Sequence, residues 1–275
     1  VLASPTTLTF SSGNWSTSQV ITLTGVDDNV SDGSQSTLLT LTPSSSGDSK
    51  YNSSSLAQSL TTVITDNDTV GLVLSKTTAT LSESGTIDNF SVVLRSEPTA
   101  TVTLTLSDND STEVSATPNT LSFGSGNWSV AQWITLTGKD DNVSDDNQTT
   151  LLTLTPSGGD YGSVSAQTLT VTTSDNDTAG LTIVESGSGT TAVEGGDNDT
   201  FTVRLASRPT GSVVLSVQAS NSADVSVNPT TLSFDNSSSS WQTAQTVTVS
   251  AVNDAVDDDN VTSTITISVN TSSTT

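Results

Sequence analysis

The chain repeats itself, and the repeat constrains its fold more than any other feature. Leu8-Thr9-Phe10 returns as Leu121-Ser122-Phe123 and again as Leu232-Ser233-Phe234. Trp15 returns as Trp128 and Trp241, and Asp66-Asn67-Asp68 returns as Asp175-Asn176-Asp177. The period is about 110 residues, the size of one domain. On this reading residues 69–177 are one whole copy and 1–68 are the back part of a preceding copy. Residues 178–275 are a third copy that stops before its closing Asp-Asn-Asp. The joints Thr69-Val70 and Thr178-Ala179 are too short for flexible linkers, so the copies are expected to stack in a linear array.

Within a copy the apolar residues alternate. Val102, Leu104 and Leu106 interleave with Thr101, Thr103 and Thr105, which is the period of a strand with one buried face. The hydrophobic fraction is only 31%, low enough to raise disorder as an alternative. The regular placement of the apolar residues favours thin, Thr-rich strands instead. The whole copy reads as seven of them: A near 71–82, B near 89–95, C near 101–107, D near 120–123, E near 131–137, F near 149–155 and G near 166–173. Turn-forming runs separate them, such as Ser-Glu-Pro-Thr-Ala at 96–100 and Ser-Gly-Gly-Asp at 157–160. The expected fold is all-β, a tandem series of seven-stranded Ig-like β-sandwiches. One Trp per copy, in the D–E turn, is expected to cap the core; a sugar-binding Trp is the alternative.

The charge is strongly one-sided. The chain has 29 acidic residues against six Lys and Arg, for a formal charge of −23. Such a surface repels nucleic acid and anionic membranes. No apolar run approaches the roughly 18 residues of a membrane span. No signal-peptide pattern opens the sequence, so secretion would require a targeting segment outside it. Cys and His are absent, which leaves an oxidising, extracellular location easily tolerated. It also removes Ser-His-Asp and Cys-His catalysis. A carboxylate pair for glycoside cleavage would need a groove lined with aromatics, which the pattern does not suggest.

The acids are also clustered. Asp140-Asp141-Asn142-Val143-Ser144-Asp145-Asp146 lies between strands E and F. It echoes Asp27-Asp28-Asn29-Val30-Ser31-Asp32 and Asn253-Asp254-Ala255-Val256-Asp257-Asp258. If the strands run up and down in order, the ends of A, C, E and G share one pole. That pole then collects Glu83, Asp88, Asp108, Asp110, Glu113, Asp140, Asp141, Asp145, Asp146, Asp175 and Asp177, and only Glu97 and Asp160 fall at the other. Turn propensity alone would scatter them. Two like charges 4 Å apart repel by about 4 kcal/mol at an effective dielectric of about 20. Lys139, the only base near this pole in the reading, is Val26 and Val252 in the other copies. A bound cation is the general remedy, and Ca²⁺ suits an all-oxygen, multi-carboxylate site. Zinc and copper favour His or Cys, and Mg²⁺ keeps more of its waters. The plain alternative is a set of solvated turn acids.

These features together resemble the Calx-β family, the modules of sodium–calcium exchangers and of large bacterial surface proteins. The resemblance rests on a Glu after strand A, an L-x-F strand, an acidic E–F segment and a terminal Asp-Asn-Asp, and it extends over nearly the whole chain. It implies an Ig-like sandwich binding Ca²⁺ at one pole beside the next module. Matched to the family pattern, the ligands of the whole copy are Glu83, Glu113, Asp140, Asp141, Asp145, Asp175 and Asp177. In the first copy they are Asp27, Asp28, Asp32, Asp66 and Asp68; in the third, Glu194, Asp224, Asp254 and Asp258. Asn253 stands where the pattern has an Asp, so the third site is expected to bind weakly or not at all.

The leading expectation is a non-catalytic structural repeat of an extracellular or cell-surface protein, an adhesin, stalk or matrix fibre. Ca²⁺ would clamp each acidic pole against the start of the next copy, Gly71 or Gly180, and the partners would be neighbouring repeats. The alternative is the subunit of a filament in which identical chains exchange strands. The Asn-x-Ser/Thr sequons, such as Asn14, Asn127 and Asn142, arise readily in so Ser-rich a chain. No adhesive ligand is indicated.

Overall fold

The computed structural model describes residues 1–45, 47–237, 239–256 and 259–271. Its regular structure is strand, apart from three short 3-10 turns. None of its helices is long and apolar enough to cross a membrane. In the first copy β1 (Leu2–Ser4) pairs with β2 (Thr22–Thr24), and β3 (Gln35–Leu41) pairs with β4 (Gln58–Ile64).

The middle copy contains β5 (Leu72–Leu74), β6 (Thr78–Ser82), β7 (Ile87–Leu94), β8 (Val102–Asp108) and β9 (Val114–Thr117). It continues with β10 (Thr120–Phe123), β11 (Gln132–Gly138), β12 (Gln148–Ser157) and β13 (Gln167–Ser174). They form two sheets, one in the order β10-β8-β12-β13-β6 and the other β5-β7-β11-β9. The alternation read from the sequence faces inward. Val102, Leu104, Leu152, Leu154, Leu169 and Val171 from the first sheet meet Phe90, Val92, Leu94, Ile134 and Leu136 from the second, all buried. Each such side chain contributes about 1.5–3 kcal/mol on burial, and the intervening Thr and Ser residues face solvent.

Two details differ from the seven-strand expectation. Strand A is split, because Leu72 packs under one sheet and Ala79 and Leu81 under the other. β5 therefore pairs antiparallel with β7, while β6 crosses over to run parallel to β13. A further short strand, β9, lies in the connection that the sequence left as an acidic loop, and pairs with β11. The copy thus has nine strand segments.

The third copy follows the same plan with β14 (Leu181–Glu185), β15 (Asp199–Leu205), β16 (Val213–Ala219) and β17 (Val225–Asn228). β18 (Thr231–Phe234), β19 (Gln245–Ala251) and β20 (Ile265–Val269) complete it. Its sheets, β14-β15-β19-β17 and β18-β16-β20, enclose a second core around Phe201, Leu215, Phe234 and Val247. Trp128 packs against the first core and Trp241 is buried in the second, as capping requires. Trp15 does not behave this way. It is 74% exposed, and none of the described residues before Leu72 is buried.

Candidate metal centre

Sheet pairing assembles the acids of the middle copy. β6 and β13 run parallel with Ser82 opposite Ser174. Glu83 and Asp175, one residue further along each strand, therefore emerge side by side. On the other sheet Val114 of β9 lies opposite Gly138 of β11, and Lys139 N donates to Glu113 O. Glu113 is thus placed beside the start of the Asp140–Asp146 loop. Glycine is required at 138, since a Cβ there would collide with Ser82 O.

The loop is then folded onto the end of β13. Asp175 Oδ2 accepts from Asp145 N and Asp146 N, both at 3.0 Å, and its Oδ1 accepts from Asp177 N at 2.6 Å. Asp141 Oδ1 accepts from Val143 N at 2.6 Å, closing an Asx turn. Asn142 and Asp146 take positive φ values of 86° and 65°, a region that Asn and Asp tolerate better than most residues. The middle residue of Asp175-Asn176-Asp177 is also engaged. Asn176 N donates to Glu83 Oε2 and Asn176 Nδ2 to Asp140 Oδ1. Sequence reasoning missed that tie; its recurrence as Asn67 was the available signal.

Two carboxylate triads result. Glu83, Asp175 and Asp177 each present an oxygen within 4.8 Å of the others, as do Glu113, Asp141 and Asp145. Oxygens that share a Ca²⁺ at 2.3–2.6 Å span at most about 5 Å, whereas Mg²⁺ at 2.0–2.1 Å spans about 4 Å. Glu83 is 1% exposed and Glu113 3%. Glu113 Oε2 and Asp145 Oδ1 are shielded from solvent without a hydrogen-bond partner, a condition folded proteins avoid. Burial, followed by repulsion from Asp145, Glu83, Asp110 and Asp141, pushes the Glu113 carboxyl up to about 7. Burial raises Glu83 and Asp177 as well, with Asp175 the leading charge against each.

Not every expected acid joins this pole. Asp88 pairs with Lys76 at 2.5 Å, which lowers its pKa; the sequence reading placed it in the A–B turn, whereas it lies within β7. Asp110 accepts from Thr112 N and lies close enough to raise Glu113. Lys139 Nζ is turned to Ser111 O.

In the first copy Asp27, Asp28, Asp32, Asp66 and Asp68 line one cavity of about 490 Å³. Asp66 repeats the bonding of Asp175, accepting from Gly33 N at 2.7 Å and Asp68 N at 2.8 Å, and these bonds lower its pKa. Asp68 is raised by burial and then by Asp66. The third copy is arranged differently. Glu194 Oε1 is occupied by Asp254 N at 2.8 Å and Asp224 Oδ2 by Asn221 Nδ2 at 2.5 Å. Asp254 Oδ1 closes the Asx turn on Val256 N. Asp257 and Asp258 lie outside the described residues. Among the described residues both triads belong to the middle copy.

The start of the next copy meets the acidic loop through a different segment from the one expected. Glu97 N donates to Asn29 O and Arg208 N to Asn142 O, both at 2.7 Å, with parallel bridges Val30–Glu97 and Val143–Arg208. Gly71 O and Gly180 O instead accept from Arg95 N and Ala206 N within their own copies.

No protein-family model matches the sequence, and no curated protein matches it. Solved structures do align with it. CBD12 from CALX1.2 aligns over 72% of this chain and 79% of its own, at 18% identity and a TM-score of 0.31. The apo-form Calx CBD1 domain aligns over 39% and 98%, at 20% and 0.32. The E. coli chaperone DraB aligns over 65% and 84%, at 7% and 0.31.

Proposed function

We propose that this chain is a Ca²⁺-binding structural array of an extracellular protein, with each copy a module and ions held at the acidic poles of the first and middle copies. Glu113, Asp141 and Asp145 form one ligand group of the middle copy, and Glu83, Asp175 and Asp177 the other. The observation that carries this reading is the pair of solvent-shielded, unpartnered carboxylate oxygens on Glu113 and Asp145, which converge with Asp141 from two separate loops. A divalent cation satisfies them and removes the repulsion that raises Glu113. The all-oxygen donor set and its spacing favour Ca²⁺. Extracellular modules of this chemistry bind at about 10⁻⁴–10⁻³ M, so the site would be filled outside cells. Since the same loop bonds to the next module, an ion that orders the loop also orders the joint. Adhesin, stalk and matrix roles all use such a stiffened array.

The test is a thermal melt of the whole chain in chelator, in millimolar Ca²⁺ and in millimolar Mg²⁺. Binding to the folded state alone stabilises by RT ln(1 + L/Kd) at free concentration L, which for such a site in millimolar Ca²⁺ is about 0.4 kcal/mol at one Kd and about 1.4 kcal/mol at ten. A Ca²⁺-specific rise that Asp141→Ala with Asp175→Ala diminishes, and Asp254→Ala leaves intact, supports the reading. Superimposable melts in all three conditions would remove calcium from it.

A further inference from the structure

The two joints use the same backbone contact but place opposite charges at it. In each, an asparagine carbonyl of the acidic loop, Asn29 or Asn142, accepts from a turn N–H of the following copy at 2.7 Å. The donor turns are equivalent, lying between β7 and β8 and between β15 and β16. The acceptor loops are equivalent too, each closed by an Asx turn, Asp28 on Val30 N and Asp141 on Val143 N. The residue in the seat is Glu97 at the first joint and Arg208 at the second.

Backbone bridging places either residue against the acidic loop of the preceding copy, and charges act over roughly 8–10 Å in physiological salt. Glu97 adds a negative charge opposite Val30, in the loop that carries Asp27, Asp28 and Asp32. Arg208 brings a positive one next to Asp141, with which it lines a cavity of about 260 Å³. Its Nε donates to Asn236 O of its own copy at 3.1 Å.

We infer that the residue in this seat sets how far each joint depends on divalent cation. The joint seated on Glu97 opens when cation is withdrawn, and the joint seated on Arg208 persists. One chain then carries a calcium-responsive hinge followed by a standing joint. This assignment rests on the calcium reading above and adds the difference between the joints.

The chain has no Cys, so spin labels can be placed without background. Thr9→Cys with Ser122→Cys spans the first joint, and Ser122→Cys with Ser233→Cys spans the second. Distance distributions are measured on the full chain in chelator and in Ca²⁺, for the native seat residues and for Glu97→Arg and Arg208→Glu. In chelator the first joint is expected to be broad and the second narrow, with Ca²⁺ narrowing chiefly the first. Glu97→Arg should raise the closed-to-open ratio of the first joint about ten-fold in chelator. Arg208→Glu should lower that of the second about ten-fold, equivalent to about 1.4 kcal/mol each way. Melts of the same variants verify that they fold. If Ca²⁺ raises the melting midpoint but both joints respond alike and neither substitution shifts them, the seat assignment fails alone. Indifference to Ca²⁺ in both melts and distances sinks the calcium reading and this assignment with it.

Discussion

Replacing Glu113 with Gln should stabilise the protein in chelator and weaken it in calcium. Glu113 is 3% exposed, and burial with four neighbouring carboxylates raises its pKa from the usual 4.5 to about 7. The folded state therefore keeps this proton up to about pH 7, whereas the unfolded chain releases it near 4.5. Between those values the folded state binds more protons, so without cation stability must fall as pH rises from about 4.5 to 7 and then level off. A gap of about 2.5 pH units corresponds to about 3 kcal/mol above pH 7. Glu113→Gln removes the charge at nearly constant shape. At pH 8 in chelator it should be more stable by up to about 3 kcal/mol, roughly 10 °C in midpoint for a core of this size. At pH 4.5 the two proteins should melt together. In millimolar Ca²⁺ at pH 8 the order should reverse, because the variant has lost an anionic ligand. Melts can be followed by tryptophan fluorescence, to which Trp128 on the same core contributes beside Trp15, Trp133 and Trp241. Coincident melts at pH 8 in chelator, or a native protein that gains stability between pH 5 and 8 without cation, would refute the argument.

Tyr161→Phe should destabilise by about 1–3 kcal/mol in urea melts, because Tyr161 Oη donates to Ser96 O and accepts from Ser96 N inside the core. The same bonds hold the turn that seats Glu97, so the first joint should also loosen; an unchanged urea midpoint would contradict this. Gly138→Ala should lower the urea midpoint by the equivalent of about 1–3 kcal/mol, since its Cβ would press on Ser82 O and part Glu83 from the acidic loop. A variant with native stability and native calcium response would show that the strands yield there.

Much of this protein is legible in the sequence because strand periodicity and repetition are local or self-comparing signals. Val102, Leu104, Leu152 and Leu154 could be placed inside from their spacing, and each E–F loop could be found from its repeated acids. Side-chain alternation follows from backbone geometry, which neighbouring residues determine. What the spacing left open is pairing across long separations. Glu83 meets Asp175 only because strand A breaks and β6 runs parallel to β13. Glu113 meets Asp141 only through the short pairing of β9 with β11. Asp88 leaves the acidic pole because Lys76 reaches it. Trp15 and Trp128 occupy the same place in the repeat, yet only Trp128 packs against a buried core. The sequence by itself determined the strands, the repeat and the excess of acid. Tertiary structure alone decided which carboxylates share a site, and which charge sits at each joint, because those contacts depend on register between segments distant in the chain.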